Sequence, residues 1–268
     1  MSSARTSARR AVRVASFLGS TSGYLSAWLL RDAVTRQDRE LLRDQWTQAW
    51  CDSVLRIFGV RVVAIGEPPR HGEDHGRGRL VVSNHRGVID VAALMRTFGG
   101  RFVSRADMAG WPLLGFGARK LGTIFVDREN KVSGAATIRE MRELLAQHRT
   151  INIFPEGTTF AGDEVRPFHA GAFLSAIGVP DAEIVPAGLA YSRRSDAAFL
   201  DETFPQHLSR MAGADPSFVV VSVGRPLQRG GTKPRAADLA ARARAAVAEE
   251  VARARAKADE LDAPSACM

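Results

Sequence analysis

A chain of 268 residues with 45% hydrophobic and 25% charged residues is long enough to bury one large core or two small ones. Its composition excludes fibrous, collagen-like and wholly disordered classes. The formal net charge of +8 and pI near 10.4 point to anionic partners such as nucleic acid, anionic lipid or phosphorylated substrates. Two cysteines, Cys51 and Cys267, offer neither a disulfide framework nor zinc spacing, and fit a reducing compartment.

No uninterrupted apolar run reaches the roughly 18 residues of a clean transmembrane helix. The nearest, Val14 to Leu30, is diluted by serines, glycines and a threonine, with Arg5, Arg9, Arg10 and Arg13 before it and Arg31 after. This pattern predicts a segment lying on an anionic membrane, arginines at the headgroups and Phe17, Leu18, Tyr24, Leu25, Trp28 and Leu29 inserted. Packing of the same helix on the domain's own core is the alternative. From Arg36 to Phe58 the apolar residues recur at helical steps, with Trp46 and Trp50 on one face. Gly59 ends that helix and Val60 to Ile65 reads as a strand. His71 and His75 fall in a Gly/Pro-rich loop over 66–79 without a third ligand nearby, and are expected to be solvated.

The apolar run Leu80-Val81-Val82 leads into Ser83-Asn84-His85-Arg86-Gly87-Val88-Ile89-Asp90 and then a helix-like stretch. Residues five apart in a helix of about 3.6 residues per turn sit roughly 140° apart. His85 and Asp90 can therefore meet only if His85 lies in the turn and Asp90 swings back from the first helical turn. The carboxylate would then fix one imidazole nitrogen and leave the other as a base. Beyond it, strands are expected at 101–104, 123–126, 150–154, 184–191 and 218–223, with helices at 113–121, 132–148, 168–177 and 235–261. Pro186 argues for an edge position or a bulge. Arg242, Arg244, Arg253 and Arg255, interleaved with alanine, read as a solvated helical face. Aromatics at 7% and the want of a stacking motif argue against nucleic acid. Alternating strands and helices predict an α/β fold: a single domain with a largely parallel mixed sheet flanked by helices, preceded by an N-terminal helical membrane-associating arm. The expected divisions are 1–58 for the arm, 59–234 for the α/β domain and 235–268 for the C-terminal helix and a frayed tail.

Three charged clusters close predicted strands: His85/Asp90, Asp127/Arg128 and Glu156/Thr158. Ligands bind at that edge of α/β sheets. A base, an oriented carboxylate, and an arginine with backbone amides for an anion suit attack of a phosphorylated alcohol on an acyl carbon.

In order, Asn84-His85-x-x-x-x-Asp90, Gly122-Thr123-Ile124-Phe125-Val126-Asp127-Arg128, Phe154-Pro155-Glu156-Gly157-Thr158 and Ile184-Val185-Pro186-Ala187 resemble the motifs of the glycerolipid acyltransferases, most of all bacterial lysophosphatidic acid acyltransferases. The blocks 111–115 and 167–173 are also similar, so the resemblance spans roughly residues 45 to 225. It implies O-acyl transfer from an acyl thioester, acyl-CoA or acyl-ACP, to the hydroxyl of lysophosphatidic acid, giving phosphatidic acid without a metal or a covalent enzyme intermediate. His85 would be the base and Asp90 its partner. Asn84, Arg105, Arg128, Glu156, Gly157 and Thr158 would bind the acceptor, with Arg128 on its phosphate. The chain has Gly87 and Val88 where the family often has serine and an aromatic, and Arg105 and Asp107 where lysine and glutamate are common. The resemblance further implies a peripheral or monotopic enzyme on the cytoplasmic face of the inner membrane. Two alternatives stand beside it: the same chemistry on another lysolipid such as lyso-ornithine lipid, and a non-catalytic basic protein binding membrane or nucleic acid.

Overall fold

A computed structural model describes residues 2–34, 39–67, 76–111, 113–127, 129–227 and 234–263. Arg128, His71, His75, Pro112 and Cys267 lie outside the described residues. Two helices come first, α1 (Ser2–Val34) and α2 (Arg39–Phe58). Then follow β1 (Val60–Gly66), β2 (Arg79–Ser83), α3 (Ile89–Phe98), β3 (Arg101–Arg105), α4 (Leu114–Lys120) and β4 (Ile124–Val126). The remainder is α5 (Lys131–Ala146), β5 (Thr150–Ile153), α6 (Phe173–Ile177), β6 (Glu183–Tyr191), α7 (Phe204–Gly213), β7 (Ser217–Val223) and α8 (Ala236–Asp262).

The strands form one sheet in the order β1-β7-β6-β2-β5-β3-β4, parallel throughout except for the antiparallel pair β6 and β7. A mostly parallel sheet has helices on both faces, so its central strands are apolar on both sides. Leu80, Val81 and Val82 of β2 are wholly buried accordingly. On one face, Phe17 of α1 and Cys51, Val54, Leu55 and Phe58 of α2 join α3 against Val81, Leu189, Val219 and Val221. On the other, α8 packs Leu239, Ala243, Val247 and Val251 over Leu80, Val82 and Ile184. Alanines let α8 come close: a Cβ on Gly188 would sit 2.2 Å from the Glu250 backbone.

Several expectations are corrected. Phe17 and Trp28 point into the protein, 5% and 6% exposed, rather than into lipid. Of the side chains assigned to insertion, Leu18 and Leu29 face outward. Arg9 and Arg13 do not lie free for headgroups: their guanidinium groups donate to the Ala214 carbonyl at 2.9 and 2.6 Å, capping the C-terminus of α7, where partial negative charge gathers. The helical arm is thus continuous with the α/β core. Pro186 lies in an interior strand, paired in register with Val82 on one side. It is tolerated because the β7 ladder has just ended there: pairing starts at Ala187 with Val223, and the Pro186 carbonyl accepts from Gly224 N at 2.9 Å. Arg255 is half-buried rather than solvated, and Arg244, though exposed, is tethered to the domain. Arg244 donates to the Val165 carbonyl at 2.9 Å, and Arg255 holds Asp163 through two nitrogens at 2.6 and 2.8 Å. Helix α7 was not anticipated from the pattern.

Candidate active site

β2 runs straight into the His85 turn, and Asn84 anchors the junction. Its Nδ2 donates to the Leu189 carbonyl at 2.9 Å and its Oδ1 accepts from Leu189 N at 2.8 Å, which continues the sheet ladder with a side chain. Asn84 is fully buried, so it positions the next residue and does not reach an acceptor, contrary to expectation. His85 lies in the turn and Asp90 is the second residue of α3, as the five-residue spacing required. Asp90 Oδ2 receives His85 Nδ1 at 2.8 Å, together with the backbone N–H of Arg86 at 2.5 Å and of Gly87 at 2.8 Å. Oδ1 receives the Tyr191 hydroxyl at 2.5 Å. A carboxylate with no exposure is tolerated only when its oxygens are paired in this way. Gly87 permits the turn to press against the loop before α7: a Cβ there would lie 2.1 Å from the Ala197 carbonyl oxygen.

The imidazole stacks on Phe154 at the end of β5, centroids 3.9 Å apart and planes within 7°. Its Nδ1 is spent on Asp90 and its side chain is one-fifth exposed, so Nε2 is the nitrogen available to a substrate. From beneath, Glu156 braces the turn. Its carboxylate accepts from His85 N at 3.1 Å, Arg86 Nη1 at 3.0 Å and Arg166 N at 3.2 Å. Arg86 is itself buried and also donates to the carbonyls of His85 and Glu164. Glu156 is therefore a buried support, not a group facing the acceptor.

His85 lies in the wall of a cavity of about 530 Å³, within the range of about 300–1,000 Å³ usual for small-molecule sites. Its far walls are apolar, built from Phe17, Tyr24, Trp28, Trp46 and Trp50 of the two N-terminal helices and from Met95 and Phe102. Trp50 Nε1 is satisfied by Thr21 Oγ1 at 3.1 Å, whereas Trp28 Nε1 in the same wall is buried without a hydrogen-bond partner among the described residues. Gly157 and Thr158 line the same cavity, as do Arg105 and Asp107. The Arg105 guanidinium and Asp107 carboxylate pair through two contacts of 3.1 Å, both side chains exposed. Asp127 stands at the same sheet edge but two strands beyond β5. Its Oδ1 accepts from Glu129 N at 3.1 Å, a local turn. No group of three His, Cys, Asp or Glu able to hold a metal occurs among the described residues.

Three residues central to this geometry were not singled out from the sequence: Tyr191, Arg86 and Phe154. A tyrosine closing an apolar strand was the available signal, because a buried phenol needs a partner.

A histidine oriented by a buried carboxylate, at the ligand edge of a mixed α/β sheet and lining an apolar cavity, has the geometry that general-base chemistry on an apolar substrate requires. The family model described as Acyltransferase matches residues 67–190. A lyso-ornithine lipid O-acyltransferase of Pseudomonas aeruginosa is 32% identical over 229 residues, covering 83% of this chain and 85% of that protein. A 1-acyl-sn-glycerol-3-phosphate acyltransferase of Neisseria gonorrhoeae is 28% identical over 150 residues, 54% of this chain and 58% of that protein. In fold, the chain is similar to the crystal structure of the 1-acyl-sn-glycerophosphate acyltransferase PlsC of Thermotoga maritima, with TM-score 0.64 and 18% identity over 98% of this chain and 100% of that one. The chain belongs to the acyltransferase family, and is an acyltransferase of lipid metabolism.

Proposed function

We propose that this enzyme moves a fatty acyl chain from an acyl thioester, acyl-CoA or acyl-ACP, to the free hydroxyl of a lysolipid, with His85 as general base. The observation that carries the reading is the His85 Nδ1–Asp90 Oδ2 bond of 2.8 Å, which directs Nε2 to the apolar cavity. Nε2 takes the hydroxyl proton as the oxygen bonds to the thioester carbon. Collapse of the tetrahedral adduct breaks the C–S bond, and the imidazolium returns its proton to the departing thiolate. Asp90 stabilises the transient imidazolium, and the aromatic walls hold an alkyl chain.

We assign lysophosphatidic acid as the acceptor, with Arg128 for its phosphate, Arg105 at the cavity mouth, and Gly157 and Thr158 beside the reacting hydroxyl. Lyso-ornithine lipid is a second reading, supported by the long match to the Pseudomonas enzyme. The two differ in electrostatics: a phosphate depends on Arg128, whereas a headgroup without phosphate depends on it much less. No described helix is long and apolar enough to cross a membrane. Peripheral association at the cytoplasmic face would give access to a lipid acceptor, with Val12, Leu18, Leu29, Leu30 and Val34 as the outward apolar side chains of α1.

Thiol release from a palmitoyl thioester, offered with each acceptor in vesicles, tests the proposal. His85→Ala should lower turnover about 10² to 10⁴-fold, the range for a lost general base. Near-full turnover in that variant refutes the base. Arg128→Glu should abolish release with lysophosphatidic acid if the phosphate reading holds. Release only with lyso-ornithine lipid changes the acceptor and keeps the chemistry.

A further inference from the structure

Asp90 Oδ1 faces away from His85, and its partner comes from the far end of another strand. Tyr191 closes β6, its residue 7% exposed, and points its hydroxyl at that oxygen from 2.5 Å. We infer that Tyr191 is a positioning residue that sets the basicity of His85 through Asp90. The inference rests on the reading of His85 as the base and deepens it.

The geometry divides the carboxylate's work. Oδ2 serves the imidazole and two backbone N–H groups, while the phenol serves Oδ1. A hydrogen-bond donor on Oδ1 draws negative charge away from the side that faces His85. A less charged partner stabilises the imidazolium less, so the donor lowers the proton affinity of His85 Nε2. The backbone that carries the phenol is anchored as well. Arg255 Nη1 donates to the Tyr191 carbonyl at 2.6 Å and is itself paired with Asp163. Burial and the Asp90 charge push the phenol's own pKa well above its ordinary value, so it remains a protonated donor wherever the enzyme works.

The other charges around this chain of bonds are few. Arg86 lies close enough to pull the Tyr191 pKa back down, and its guanidinium is neutralised by Glu156. His207 of α7 feels the Asp90 charge from its buried position, with Glu202 and Arg210 beside it. None of these donates to Oδ1, so the hydroxyl is the group whose removal acts on His85 through the carboxylate alone.

The test reads the pH dependence of kcat/KM for thiol release, whose acid limb reports the free enzyme's base. Tyr191→Phe keeps the ring and removes the donor. It should move the acid limb up by about half to one pH unit, with KM for the thioester changed by less than roughly twofold. The chain contains two tyrosines, Tyr24 and Tyr191, which allows an opposite perturbation. In a Tyr24→Phe background, biosynthetic replacement of tyrosine by 3-fluorotyrosine places the more acidic phenol at position 191 alone. That stronger donor should move the limb down relative to unlabelled Tyr24→Phe, and it decides the matter if Tyr191→Phe fails to fold. A limb that stays put in the fluorinated enzyme, or moves the same way in both, overturns the role and leaves Tyr191 a packing residue. His85→Ala with undiminished turnover would instead overturn the base on which the inference rests.

Discussion

Glu156 shows how a motif residue can brace the candidate site from a buried position. Its motif suggested an acceptor-binding carboxylate, yet its oxygens are consumed by His85 N, Arg86 and Arg166 N beneath the turn. Removing one partner of a buried ion pair leaves the other charge uncompensated, at a cost of about 3–5 kcal/mol. Glu156→Ala should therefore lower the unfolding free energy from denaturant melts by that order, with Arg86 stranded, and turnover should fall together with folded population. A raised acceptor KM at unchanged stability would return Glu156 to the acceptor. The His85–Asp90 pair was legible because both members sit in one short segment and a single geometric condition links them. Tyr191 was not, because it lies 101 positions from Asp90 and only the sheet brings its hydroxyl to that oxygen.

At the scale of elements, α7 is the piece the hydrophobic pattern concealed. Its start carried a signal in the chain, since Gln206 Oε1 accepts from Thr203 N at 2.8 Å in a capping box, with a proline in the first turn. Its position matters to the site. The loop before it donates Phe199 N to the Arg86 carbonyl at 2.6 Å, and Ala197 abuts Gly87. Two titrating groups hold α7 down. Burial lowers the pKa of His207 from its ordinary 6.5. The Arg210 guanidinium, aided by His207, draws Glu202 from 4.5 to about 2 against the opposing effect of desolvation. Both groups bind protons more weakly folded than unfolded, so their stabilisation is complete above the unfolded values and lost on acidification. The loss begins below about pH 6.5 with His207 and resumes from about 4.5 toward 2 with Glu202. His207→Gln should flatten the first of these slopes in urea midpoints followed through weakly acid pH. An unchanged slope would place the titration elsewhere.

For the molecule as a whole, the decisive fact is that α1 and α2 are walls of the cavity beside His85 as well as cover for the sheet. An arm that merely tethers a finished domain could be removed. Here loss of α1 would uncover Phe58 of α2, on which Phe17 packs, and would uncap α7, so a chain beginning at residue 39 should fail to give a cooperative melt. Phe17→Ala should cost about 3–5 kcal/mol, the range for a core phenylalanine, read as a drop in melting temperature. A stable, active truncated chain would restore the separate arm. The sequence by itself determined the α/β class, the seven strands and the histidine–carboxylate turn, because each is written in local periodicity and short spacing. Tertiary structure alone decided that Phe17 and Trp28 face inward, that Pro186 can sit inside a sheet, and that Glu156 and Asn84 hold the His85 turn from buried positions. Those outcomes depend on which surfaces and hydrogen-bonding groups meet across long stretches of chain, and a one-dimensional pattern does not contain such meetings.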